Sequence, residues 1–198
     1  MSRPQNLEAR ERILETAMNL FHEHGFKGVS MDHVAEKARL KKANLFHYYP
    51  SKDELGLAVL DRVAACQREG VAKRFSNGSD PIKTIQGMFA DSAERMAKSG
   101  CFKGCFMGNV AMELSDENEK MRRKIAEYLE FWVGEVGGFL ERHKADGYFA
   151  KSMNSEQTAV ALVALLEGAT LISKAAKCPE ALKYAGAAAA GYLKTLKA

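Results

Sequence analysis

Proline is scarce: Pro4, Pro50, Pro81 and Pro179 are the only four in the chain. None interrupts a strongly periodic stretch, and three stand where a helix would begin, a position that tolerates the missing N–H. Cysteine is as rare. Cys66, Cys101, Cys105 and Cys178 are too few and too unevenly spaced for a disulfide scaffold, so a cytoplasmic protein with free thiols is expected. No segment reads as a membrane span: Thr158 to Ile172 is the richest apolar run, but Glu167 interrupts it and it is too short for about 30 Å of hydrocarbon. The first residues, Met1-Ser-Arg-Pro-Gln-Asn-Leu-Glu, lack the apolar core of a signal peptide. Neither sign of charge dominates. With 29 Lys and Arg against 25 Asp and Glu, the net charge of +4 argues by itself for neither nucleic acid nor membrane.

Catalytic motifs are missing as well. There is no Gly-rich phosphate loop and no His-Glu-x-x-His metal site. His22, His24, His33 and His47 fall in the N-terminal quarter without evident acid–base company. Asp116, Glu117 and Glu119 read as acids at a helix start, which the helix dipole explains without catalysis. No enzyme, cofactor or metal site is expected.

What is present is helix. With 198 residues, 46% of them apolar, the chain can bury about 70% of its unfolded surface and needs no staple to fold. Leu7 to His24 carries Ile13, Leu14, Ala17, Leu20 and Phe21 on one face and stops at Gly25. Ser30 caps a short helix, Met31 to Ala38, and another runs from about Lys41 to His47 before Pro50 breaks it. Ser51 to Glu54 is a capping box that opens a fourth helix reaching about Phe75, closed by a turn over Ser76-Asn-Gly-Ser79. Asp80-Pro81 starts a fifth, ended by Ser99-Gly100, and Cys105 to Leu114 is a short sixth. Asp116 to Glu119 has capping-box spacing and opens a long helix to about Lys144. Ser155 to Ala176 and Glu180 to Leu196 complete an all-α plan of about nine helices, with no sustained period-two alternation. The expected division is a helix-turn-helix domain over 1–52 and a larger helical domain over 53–198, with no flexible linker between them.

The most informative segment is Ser30 to Tyr49. Val34, Ala35, Ala38, Leu40 and Leu45 point inward, and two short helices with a three- or four-residue turn have helix-turn-helix spacing. From Lys37 to Lys52 there are five basic residues and no acid. The second short helix offers Lys41, Lys42, Asn44 and His47, with Tyr48 and Tyr49 at its end. Lys suits guanine and Asn suits adenine in the major groove, while Lys and Tyr also reach phosphate oxygens. An ordinary three-helix bundle with a basic solvated face would carry the same residues.

Three pieces then match in order and spacing: Ile13-Leu-Glu-Thr-Ala-Met-Asn-Leu-Phe, Gly25-Phe-Lys-Gly-Val-Ser-Met-Asp-His-Val-Ala, and Ala43-Asn-Leu-Phe-His-Tyr-Tyr-Pro-Ser-Lys-Asp-Glu-Leu. Through them residues 10 to about 60 resemble the DNA-binding domain of tetracycline-repressor-type (TetR/AcrR) transcriptional regulators. The resemblance implies a homodimeric, sequence-specific regulator, usually a repressor. Its two recognition helices would enter successive major grooves of a palindromic double-stranded operator, about 34–36 Å apart. It also implies phosphate contacts from Lys52 and from Tyr48 or Tyr49. The expected DNA-binding set is Ser30, Met31, Lys41, Lys42, Ala43, Asn44, His47, Tyr48, Tyr49 and Lys52. The chain departs from the family pattern at Arg39, where Gly is common, and at Lys41, Ala43 and Asn44. Arg39 is awkward if the turn needs a left-handed backbone.

Cys101 to Leu114 contains Gly104-Cys105-Phe-Met-Gly108-Asn109, which resembles a Gly-Cys-x-x-Gly-Asn segment in one subset of these regulators. Some of that subset answer electrophiles or oxidants through cysteine. Cys101 and Cys105 are the redox candidates: a helix reaching back to Cys101 would put both on one face, and a helix start would lower the Cys105 pKa. Cys105 as a small buried hydrophobe is the alternative. A zinc site lacks a local ligand cluster.

An inducer pocket is expected from Phe89, Met96, Phe106, Met107, Asn109, Met112, Tyr128 and Trp132, with Phe139, Phe149 and His143 as further wall candidates. For any single one of them, plain core packing is the better account. The inducer would be a small apolar or electrophilic molecule. The last two helices are the expected dimer surface, through Val163, Leu166, Ala169, Thr170, Ala185 and Ala189. A non-specific architectural DNA binder is the competing function, since phosphate contacts alone give steep salt dependence in both cases.

Overall fold

Nine α-helices follow one another among the described residues, which are 4–76 and 80–198 of a computed structural model. They are α1 (Pro4–His24), α2 (Met31–Lys37), α3 (Lys42–Tyr48), α4 (Lys52–Ser76), α5 (Pro81–Lys98), α6 (Phe106–Leu114), α7 (Glu119–Ala145), α8 (Ser155–Ala176) and α9 (Glu180–Thr195). The all-α architecture matches expectation, with a helix-turn-helix unit first and a larger bundle after it. The turn expected over 77–79 lies outside the described residues.

The helix starts are set by local chemistry. Ser30 Oγ accepts from His33 N–H and Ser51 Oγ from Glu54 N–H, both at 3.1 Å. Asp80 accepts from the N–H groups of Ile82 and Lys83, which lowers its pKa, and Pro81 fills the first helical position. Asn154 caps α8. The start of α7 differs from the expected capping box at Asp116. Glu117 and Asn118 turn back onto the Leu114 carbonyl, so Asn118 stands at the helix entrance and accepts from Met121 N–H.

Two compact units divide the chain. The first takes in residues 1–66 and 106–126, the second 67–105 and 127–198. Helix α6 and the start of α7 therefore group with the N-terminal helices, because long-range contacts bind them there. Asn118 Nδ2 donates to Asp53, and Met121, fully buried, packs beside Gly56 and Phe26. The core of the first unit includes Ile13, Ala17, Val34, Leu45, Leu55 and Val59, all at most 1% exposed.

The core of the second unit is built on α5, α8 and α9, with α7 residues Val136, Phe139 and Leu140. Phe89, Phe139 and Phe149 are each 1% exposed there, so they are packed core. Val163, Leu166, Ala169, Ala185 and Ala189 belong to the same core and Thr170 is buried with its hydroxyl on the Leu166 carbonyl. The six expected dimer-surface residues thus face the interior of their own chain. The small face of α9 explains why: it lets α5 approach so closely that a Cβ on Gly186 would sit 2.9 Å from Phe89 Cβ. The apolar run judged too short for a membrane lies inside the 22-residue α8, which is long and apolar enough to span one by length and composition alone. Its inward face is instead packed in the core just described.

Candidate functional site

The helix-turn-helix is assembled by burial. Val34, Ala35 and Ala38 of the α2 region and Leu45 of α3 are at most 3% exposed. The turn between them needs one left-handed residue, and Arg39 supplies it at φ 56°. That is the strain anticipated where a glycine would be easier.

With Leu45 turned inward, α3 presents Lys42, Ala43, Asn44 and His47 to solvent, and Lys41 precedes them, also exposed. Lys41 occupies the N-cap position of α3 and makes no side-chain cap hydrogen bond. Lys42 pairs with Asp32 at 2.8 Å, both partners more than 60% exposed. Ser30 is exposed but spends its oxygen on capping α2, and Met31 and Tyr48 are half-buried. Tyr49 departs from expectation. It is 4% exposed and its hydroxyl accepts from Arg10 Nε at 3.2 Å, so it braces α1 rather than standing on the surface. Lys52 is half-buried. Its ammonium lies 4.5 Å from the Phe26 ring centre and donates to the Lys27 carbonyl. Desolvation pushes its pKa down, while Glu113 and then Asp53 pull the other way.

A second cluster lies in the larger unit. The Cys105 thiol donates a hydrogen bond to the Glu167 carboxylate, whose pKa burial pushes up against the lowering effect of that bond. Tyr128 is 3% exposed; burial raises its pKa, with Cys105 and Glu167 adding to the rise and Arg95 and Arg68 opposing it. Trp132 stacks obliquely on Tyr128 with ring centres 6.2 Å apart. Glu167 was not among the sequence candidates, and its 62-residue separation from Cys105 left no local signal.

The other candidates scatter. Phe89 and Met96 are core residues of the second unit, whereas Phe106 and Met107 are buried in the first, where Asn109 is half-buried. Met112 is 83% exposed. Cys101 does not share a helical face with Cys105. It sits at φ 59° in the turn after α5, 2% exposed, and α6 begins only at Phe106. Cys105 is half-buried. Among the described residues no group of three or more His, Cys, Asp or Glu side chains could hold a metal ion.

The outer faces of α8 and α9 were missed. Val160, Leu165, Leu171 and Ile172 on α8 and Tyr184 and Tyr192 on α9 are 38 to 73% exposed. Ala161, Ala164, Gly168, Ala187, Ala188 and Gly191 fill the spaces between them.

Comparison with known proteins places both parts of the chain. Residues 13–59 match the family described as bacterial regulatory proteins, tetR family, and residues 81–189 match the tetracyclin repressor-like C-terminal domain. The transcriptional regulator AcuR of Cereibacter sphaeroides is 24% identical over 175 residues, 88% of this chain and 80% of that protein. The HTH-type transcriptional repressor NemR of Escherichia coli K12 is 24% identical over 186 residues, 93% of this chain and 94% of that protein. Among solved structures, a regulator from Chloroflexus aurantiacus superposes with a TM-score of 0.87 at 22% identity, covering 98% of each chain.

Proposed function

Because the chain belongs to the tetR family of bacterial regulatory proteins, it is a DNA-binding transcriptional regulator rather than an enzyme, and we propose that it works as a homodimeric repressor released from a palindromic operator by a small inducer. The observation that carries this reading is the face of α3. It is anchored by the buried Leu45 and offers Lys42, Ala43, Asn44 and His47 outward, with Lys41 beside them. A Lys, an Asn and a small methyl on one exposed helical face suit guanine, adenine and the thymine methyl of a major groove. Residues 1–52 read DNA in this proposal, and 53–198 sense and dimerise.

The dimer surface is the outer apolar face of α8 and α9. An exposed stripe of aliphatic and Tyr side chains separated by Ala and Gly gives two helices per subunit that close on two more. The inducer site centres on Cys105, Glu167, Tyr128 and Trp132. An electrophile would add to the Cys105 sulfur, and an apolar molecule would stack against Trp132. Either would shift the population away from the spacing the operator requires. That one relative is itself called a repressor favours repression over activation.

The test is selection of bound duplexes from a random pool. An enriched palindrome with half-sites about one helical turn apart is expected. Adding an electrophile to that complex should release the wild type and spare Cys105→Ser. Binding with no enriched sequence, fading uniformly as salt rises, would favour the architectural reading instead.

A further inference from the structure

The Glu113 carboxylate on α6 has no role in the reading above, yet it makes two long-range hydrogen bonds within the first unit. Oε2 accepts from Phe26 N–H at 2.8 Å and Oε1 from Lys27 N–H at 2.7 Å, across 87 and 86 residues of sequence. Both bonds are charge-assisted, and together they grip two successive amides of the turn between α1 and α2. The turn is shaped for that grip. Gly25 holds φ 76°, and a Cβ there would lie 3.2 Å from both carboxylate oxygens. In the turn that follows α6, Glu117 pairs with the Lys27 ammonium at 2.5 Å.

What Glu113 holds is also what surrounds Lys52. The Lys52 ammonium rests over the Phe26 ring and donates to the Lys27 carbonyl, both in residues whose amides Glu113 grips. The same turn delivers the chain to Ser30, where α2 begins. We infer that Glu113 is a positioning residue for DNA binding, fixing the α1–α2 turn and through it the direction of the Lys52 ammonium toward a phosphate. The inference rests on the proposal that Lys52 meets the DNA backbone. An ammonium ordered before binding loses less side-chain freedom on meeting a phosphate than a mobile one.

The test uses the full-length protein and the enriched operator duplex, with two independent readouts. Amide exchange at Phe26 and Lys27 should quicken about tenfold or more in Glu113→Ala, because each amide loses a charge-assisted partner. Amides within α8 and α9 should keep their protection. Operator affinity should fall about tenfold, and the salt slope should flatten by about one per half-site as a phosphate contact is lost. Lys52→Met should flatten it equally, and the double variant should bind no more weakly than the weaker single variant. Glu113→Gln, which keeps one acceptor oxygen, should fall between wild type and Glu113→Ala in both readouts, and it stands in if the alanine variant does not fold. Fast exchange with wild-type affinity and slope would overturn the inference, as would full additivity of the two substitutions. A wild type that enriches no operator would overturn the regulator reading, while exchange at Phe26 and Lys27 would still report whether Glu113 holds the turn.

Discussion

If two copies meet through the outer face of α8 and α9, Ile172→Asp should separate them without unfolding either. Ile172 is 59% exposed within one chain, so its substitution disturbs no packed core. Fully burying an Ile side chain is worth roughly 1.5–3 kcal/mol, and the exposed portion retains roughly 1–1.8 kcal/mol for an interface. A two-fold dimer counts that residue twice, or roughly 2–3.5 kcal/mol. At 1.4 kcal/mol per decade the dimer constant should weaken roughly 30- to 300-fold, before any cost of burying a carboxylate. Sedimentation velocity over a concentration series measures the constant, and circular dichroism melting checks that the subunit stays folded. Operator affinity should fall with it, because one half-site no longer assists the other. Lys151→Glu, exposed and outside the stripe, is the control. A wild type that is monomeric at micromolar concentration, or an Ile172→Asp protein that dimerises as tightly as wild type, would refute the assignment of this face.

Asn44→Ala should relax base preference at one position of each half-site, at a cost of about 1–3 kcal/mol per lost bidentate pair. Repeating the duplex selection checks it, and an unchanged enriched sequence would assign the readout to other residues. Arg39→Gly should stabilise the fold by roughly 0.5–1 kcal/mol, since the left-handed backbone costs an L-residue roughly 1–2 kcal/mol and the added freedom of the unfolded glycine offsets part of it. Urea unfolding measures this, and a lower midpoint would contradict it. Glu167→Gln tests the half-buried carboxylate. Its folded pKa lies above the ordinary Glu value of 4.5, so its ionisation favours unfolding. Wild-type stability should therefore be full below that value and fall as pH rises through the folded pKa. The variant should melt higher than wild type at pH 7, with the gap narrowing toward pH 4. A gap that does not change with pH would count against the assignment.

Much of the helical plan was legible because its signals are local. Ser30, Ser51, Asp80 and Asn154 cap helices through amides two or three residues ahead, which a sequence window contains. Leu45 could be assigned inward and Asn44 outward for the same reason. The face of α8 could not be assigned this way. Val163 and Leu166 on one side and Val160, Leu165 and Ile172 on the other are all apolar, so periodicity does not say which stripe meets the chain's own core. Small residues on α9 compounded the difficulty, since close approach within a chain and between chains asks for the same side chains. Glu113 and Glu167 carry no local signal, because their partners lie 87 and 62 residues away. Tyr49 illustrates the remaining limit: neighbouring tyrosines look alike in sequence, yet Tyr48 is half-buried and Tyr49 is committed to Arg10.

The way the reading face is supported bears on how it binds. The exposed Lys42–Asp32 pair is worth at most about 1 kcal/mol, so exchanging Asp32 for a phosphate costs α3 little stability. The helix holds its place through Leu45, which is fully buried, and α2 through Val34 and Ala38, each at most 1% exposed. Those contacts are apolar, so salt screening leaves them largely untouched. Apart from the exposed Lys42–Asp32 pair, the exposed polar side chains of α3 would then be available to a duplex under the proposed reading, while Glu113 grips the α1–α2 turn and Tyr49 meets Arg10. A scaffold of this kind lets Lys41, Ala43 and Asn44 differ from the family pattern without disturbing the fold. It follows that exchanging these three residues should redirect operator choice while leaving the melting temperature nearly unchanged.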